Sequence, residues 1–97
     1  MNTHLLTSHA IMDIDRPERW AKQLVSHLSR KASLDRTVDG DVLTIGSGHG
    51  VVSVQQDRLV LRAAAPDAES LSRIEDVLAR HFERFARGEG ASVIWIR

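Results

Sequence analysis

His27 and His81 are the residues of this sequence best suited to chemistry. An imidazole moves protons near neutral pH and accepts a transition metal or haem iron. His81 falls between Leu78, Phe82 and Phe85 in helical projection, about 40° from the centre of their apolar stripe at 100° per residue. His27 lies at the margin of a second stripe, one turn beyond Gln23 and Leu24. If the two helices pack side by side, the rings can approach each other. A closed metal site needs three or four ligands, and neither histidine has a His, Asp or Glu partner at i, i+4 on its own helix face. No resident metal or cofactor is expected. The rings either sit at a helix interface with satisfied nitrogens or line a pocket for a small ligand.

Other constellations fail on spacing. The turn Gly46-Ser47-Gly48-His49-Gly50 looks like a phosphate cradle, but that mechanism needs the loop to open a helix, and here strand precedes and strand follows. Gly46-Ser47-Gly48 is not a nucleophile elbow, since the spacing is wrong and no helix stands behind it. Serines 26, 29, 33, 70 and 72 belong to polar helix faces or helix ends. Glu75-Asp76 is expected to point partly outward, and Asp39 and Asp41 flank a turn. Arg73, Arg80, Arg84 and Arg87 form a loose stripe, but Glu69–Arg73, Asp76–Arg80 and Glu83–Arg87 are acid-to-base pairs at i, i+4, each worth about 0.2–0.5 kcal/mol. Only Arg84 has no such partner, because Arg80 stands four residues before it. No catalytic constellation emerges, and an enzyme is not the expectation.

Elements that would position these groups follow from periodicity. Leu6–Ile14 alternates, with Ala10, Met12 and Ile14 on one face. Asp15-Arg16-Pro17-Glu18 reads as a helix start, Asp15 capping in a capping box with Glu18 and Pro17 in the first turn. The helix over 16–31 stripes Pro17, Trp20, Ala21, Leu24 and Leu28 on one side. From Leu34 to Ala64 the period becomes two, broken at Asp39-Gly40, at Gly46–Gly50 and at Gln56-Asp57-Arg58, which predicts an antiparallel meander. A second helix over 67–87 carries Leu71, Ile74, Leu78, Phe82 and Phe85, and Gly88-Glu89-Gly90 stops it. Ser92–Arg97 is expected as a terminal strand carrying Trp95. The fold class is α+β, strand-helix-strands-helix-strand: two helices on one face of an antiparallel sheet, in a single domain over 1–97. The other sheet face is left open, a surface suited to a homodimer.

Composition narrows the function classes. A chain of 97 residues with 42% apolar side chains can bury one thin core, hiding roughly 65% of its unfolded surface. There is no cysteine, so disulfides and thiolate chemistry are excluded. Thirteen bases balance thirteen acids, evenly between the halves of the chain. Without a basic excess or exposed aromatics, nucleic acid is not an expected partner. Met1–His9 has no basic cluster before an apolar core, and no apolar run spans a membrane, so no membrane role is expected and the reading is cytoplasmic.

Nearly the whole chain resembles a family of small bacterial proteins, domain of unknown function 2218. The resemblance is carried by Asp15-Arg16-Pro17, by Leu24-Val25-Ser26-His27 with Lys31, by the Gly48-centred turn and by Leu61 through Glu69. It continues through Leu71, Ile74-Glu75, His81-Phe82-Glu83-Arg84-Phe85 and Trp95. Trp20 stands where relatives tend to have tyrosine, and Gly88 where a bulkier residue often occurs. The resemblance implies a compact α+β domain and assigns no catalytic residue. It implies either a free-standing protein or a partner of siderophore-interacting flavin reductases, and with the latter a link to iron handling. The family motif includes His27, Lys31, His81 and Arg84. Two functional expectations stand together. One is a non-catalytic interaction or accessory protein, homodimeric through the open sheet face. The other is a small-ligand binder for haem, iron or a siderophore, using His27 and His81.

Overall fold

Alternation through the middle of the chain produces an antiparallel sheet whose register separates two faces. The computed structural model describes residues 5–89 and 92–97, without the side chain of Arg87. In chain order it contains β1 (Leu6–Met12), α1 (Pro17–Leu28), β2 (Ser33–Thr37), β3 (Gly40–Ile45), β4 (Gly48–Gln55), β5 (Arg58–Ala65) and α2 (Ala68–Phe85), then a short 3-10 turn, Arg87–Glu89. The five strands are ordered β1-β5-β4-β3-β2, all antiparallel. This is the expected α+β arrangement, with β1 inserted beside β5 at the end of the meander.

Register places Ala10 opposite Leu61 and Leu61 opposite Val52, and Leu43 opposite Gly50. These residues share one face, and both helices pack on it. Leu24, Val25 and Leu28 of α1 and Leu71, Ile74, Leu78 and Phe82 of α2 join them in a single buried cluster. The core is thin, so helix-to-sheet distance is set by small residues. A Cβ on Gly50 would stand 2.8 Å from Leu78 Cδ1, and one on Gly48 would overlap the Ala64 carbonyl oxygen. Both glycines therefore let backbone and side chain approach more closely than alanine would.

Helix ends show where local sequence prevails and where it does not. Asp67 caps α2, accepting from the Ser70 amide at 2.7 Å, and this bond, aided by the Ser70 hydroxyl, holds its carboxyl below the usual range. The capping box expected at Asp15 and Glu18 does not form. Arg16 occupies the cap in the left-handed region (φ 55°, ψ 58°) with no side-chain cap bond. That reversal brings the Asp15 carbonyl to the Trp20 indole, which donates to it over 3.0 Å. Pro17 takes the first helical position as expected. α1 ends at Leu28, three residues early, and the chain then turns through bonds from Lys31 and Ala32 amides to the Leu28 carbonyl.

The expected terminal strand reduces to one bridge. His9 and Ile96 exchange amide-to-carbonyl bonds of 3.0 and 2.8 Å at the outer edge of β1. Side chains hold the rest of the segment. The Val93 amide donates to Glu83 at 2.8 Å, and Arg97 reaches Glu75 of α2. Among the described residues no helix is long and apolar enough to cross a membrane.

Candidate functional site

His27 on α1 and His81 on α2 come together where the C-terminal parts of the two helices meet. Their ring centroids lie 5.0 Å apart with planes inclined at 46°, and Phe85 stands edge-on to His27 at 5.1 Å. Both histidines are half-buried. Each sits at the rim of its helix's apolar stripe, so packing of the stripes brings rim to rim. Phe85, expected in the core, is half-buried instead because it serves as the wall for His27.

Hydrogen bonding sets the tautomer of one ring. His81 Nδ1 lies 2.7 Å from the Val77 carbonyl oxygen, which can only accept. Nδ1 therefore carries the proton, and in the neutral ring Nε2 is the free lone pair. His27 titrates below its ordinary value of 6.5, first because burial disfavours the charged ring. Positive neighbours push it the same way, in the order His81, Arg30, Arg84 and Lys31. Lys31 and Arg84, the other two candidate residues, thus belong to the surroundings of the same ring.

His81 and Arg84, with Arg80 and Glu83, also wall a shallow recess of about 680 Å³ on the outer side of α2. Neutralisation is incomplete there. Arg80 is paired with Asp76 at 3.1 Å and Arg73 with Glu69 at 3.8 Å, as their spacing predicts. Glu83 is engaged with the Val93 amide; the side chain of Arg87, its expected partner, lies outside the described residues. Arg84 has no ion pair among the described residues. No cluster of three or more His, Asp, Glu or Cys able to hold a metal occurs among them either.

A second trough, about 660 Å³, runs between α1 and the β2–β3 hairpin. Its charges are mixed, with Glu18, Lys22, Arg36 and Asp41 on the rim, and no histidine lines it. The two candidate histidines meet at the helix seam and not in this trough. The glycine turn is no anion cradle. Ser47 bonds Ser70 at 3.1 Å, but the carboxylate of Asp67 already occupies that helix N-terminus.

Glu75 departs from the reading of an outward-pointing carboxylate. It is buried on α2, and Arg97 grips it at two points while also donating to Ser72 Oγ at 2.8 Å. Burial pushes its carboxyl up, yet the Arg97 guanidinium and the Ser8 hydroxyl outweigh this and the net movement is downward. The Ser8 Oγ, itself buried, acts by proximity, since it makes no hydrogen bond of full geometry. The spacing Leu71, Glu75, Leu78, Phe82 carried the signal, because Glu75 falls on the buried row.

The sequence profile of a family described as an uncharacterized protein conserved in bacteria, DUF2218, matches residues 9–96. The chain belongs to this family. Among solved structures, this DUF2218 chain is similar to PA4090 from Pseudomonas aeruginosa, solved by NMR. That pair has 21% identity, a TM-score of 0.74 and coverage of 93% of this chain and 94% of the other. It is also similar to part of a phosphoglucomutase/phosphomannomutase family protein from Burkholderia thailandensis. There the identity is 21% and the TM-score 0.66, over 96% of this chain and 19% of that one. At such identities the likeness speaks for the fold alone. No curated protein matches.

Proposed function

We propose that this DUF2218 chain is a non-catalytic accessory protein that binds a small ligand at the seam between His27 and His81. The observation that carries the reading is the 5.0 Å approach of two imidazoles from different helices. Two half-buried rings, one with a free Nε2, offer directional contacts that a plain helix interface does not require. Lys31 and Arg84 stand beside them as charged partners. The family's contextual link to siderophore-interacting flavin reductases supplies haem, iron and siderophores as the first ligands to try, and such a reductase as a cytoplasmic partner.

Titrating the purified protein with haem, with ferric and ferrous iron and with small anions tests this reading. Saturable change in the Soret band, or in the ring resonances of His27 and His81, is the expected result. Ring resonances unmoved by every probe overturn it.

A second reading, a homodimer through the open sheet face, is favoured by Ile11. That side chain is 54% exposed, opposite Val60 on the face without helices. Val51 and Val42 continue the apolar strip one row over, bordered by His9, Arg62 and Asp35. Sedimentation equilibrium tests it, and Ile11→Lys is expected to yield monomer. A wild-type monomer at high concentration rules the dimer out.

A further inference from the structure

We propose that the ligand of the His27–His81 seam is a small oxyanion, a carboxylate or a sulfate-like or phosphate group, held by Arg84 and Lys31 with a proton taken up on His27. This rests on the reading of the seam as a small-ligand site and names the chemistry it selects. The argument begins with charge. Arg30, Lys31 and Arg84 make no ion pair among the described residues, and the nearby acids are already engaged, Asp76 with Arg80 and Glu83 with the Val93 amide. Half-buried rings flanked by exposed cations that have no ion-pair partner among the described residues attract an anion and repel a bare metal cation. Two imidazoles are also too few to hold such a cation against that repulsion.

His27 then acts as the adaptable member. The groups that bear on it are all cationic or potentially so: Arg30 and Lys31 from the turn after α1, and His81 and Arg84 from α2, with the apolar edge of Phe85 completing the wall. Unliganded, burial and this company disfavour the charged ring. An oxyanion reverses the local field, and the ring takes one proton from solvent to become a second N–H donor. His81 cannot play that part at Nδ1, which is committed to Val77. Linkage requires that one proton bound per ligand strengthens affinity by up to about tenfold for each pH unit lowered.

Inorganic sulfate tests the idea, because its charge is constant across the range. Ring resonances of His27 and His81 are followed during titration at pH 6.5 and 7.5, in the wild type, Arg84→Gln and His27→Gln, with citrate and ferric citrate as further arms. Arg84 is exposed, so its variant is expected to keep the wild-type circular dichroism. The expected result is saturable movement of both rings by sulfate, tighter at pH 6.5 than at pH 7.5 by up to about tenfold. Arg84→Gln should weaken binding about tenfold or more, and His27→Gln should erase the pH dependence. Tighter citrate identifies a carboxylate ligand, and a stronger response to ferric citrate identifies an anionic iron chelate. If zinc, ferrous iron or haem moves the rings and no anion does, the oxyanion assignment falls while the seam remains a ligand site. Silence toward every probe removes both. Sulfate binding that ignores pH and Arg84→Gln also overturns the assignment.

Discussion

Arg97 grips Glu75 at two points, Nε donating to Oε2 over 3.1 Å and Nη2 to Oε1 over 2.9 Å. The carboxylate is buried on α2 and the guanidinium comes from 22 residues further along the chain, so the contact ties the terminal segment to the helix. Removing the cation leaves the burial. Arg97→Ala is therefore expected to raise the Glu75 carboxyl above the ordinary glutamate value, read by NMR titration of the side-chain carboxyl. In the wild type the lowered value means that unfolding releases a carboxylate that binds protons more readily. Its contribution to stability is complete above 4.5 and is lost as pH falls through the lower folded value. The melting-temperature gap between wild type and Arg97→Ala should therefore be present at pH 7 and shrink in acid. Equal melting temperatures at pH 7 would show that the clamp contributes nothing.

His27 makes a prediction in a different window. Its folded value lies below 6.5, so the unfolded chain binds the proton more readily. Stability is thus present above pH 6.5 and is lost as pH falls from there through the lower folded value. Calorimetric melting temperatures between pH 5 and 7.5 should rise more steeply for the wild type than for His27→Gln. Parallel curves would mean that the ring titrates alike in both states.

Gly50 and Gly48 set how closely the layers approach. Gly50→Ala is expected to cost about 1–3 kcal/mol, because Leu78 is fully buried and must yield to the new methyl group. Gly48→Ala is expected to cost more, since the obstacle is the backbone carbonyl of Ala64 rather than a side chain. At roughly 4–8 °C per kcal/mol for a domain of this size, thermal melts resolve both. The reverse order of the two losses would contradict this account.

The β4–β5 hairpin turns on two residues with positive φ, Gln56 at 52° and Asp57 at 61°. These angles suit the turn that matches strand twist, for which Asn-Gly is the favoured pair. Gln56→Asn combined with Asp57→Gly should stabilise by about 1 kcal/mol, because glycine is free of the steric penalty of the left-handed region and asparagine offsets it by local hydrogen bonding. Urea denaturation with an unchanged slope checks this. A destabilised double variant would show that the native side chains contribute contacts worth more than the strain.

Much of this architecture was written in period and punctuation. Leu71, Ile74, Leu78 and Phe82 recur at helical spacing, and burial follows them. The breaks expected at Asp39-Gly40, Gly46–Gly50 and Gln56-Asp57-Arg58 each contain part of a turn between strands, but the turns are tighter, since Gly40 opens β3, Gly48 opens β4 and Arg58 opens β5. These features are local, decided by backbone sterics and by which face of an element is apolar, so neighbouring residues contain the information. The terminal segment was not legible in this way. Ser92–Arg97 has alternation enough for a strand, but it is held by contacts of Val93 and Arg97 with the distant carboxylates of Glu83 and Glu75 on α2. The cap of α1 escaped for a related reason: the Trp20 bond to the Asp15 carbonyl accompanies a left-handed Arg16, where Asp15 offered an ordinary capping box.

For the candidate site, the residue types were visible and their meeting was not. His27 and His81 could each be placed at the rim of an apolar stripe from helical projection. Their 5.0 Å separation depends on which sheet face both helices share and on how near α2 comes to it, which Gly50 and Leu78 decide. The charge around them was likewise half visible, since Arg84 lacks a partner at i, i+4, whereas its influence on a ring of the other helix arises only in three dimensions. Sequence determined the elements because torsion preference and amphipathic period act over a few residues. Tertiary structure decided the site because ring contact, desolvation and Coulomb interaction act through space between residues far apart in the chain.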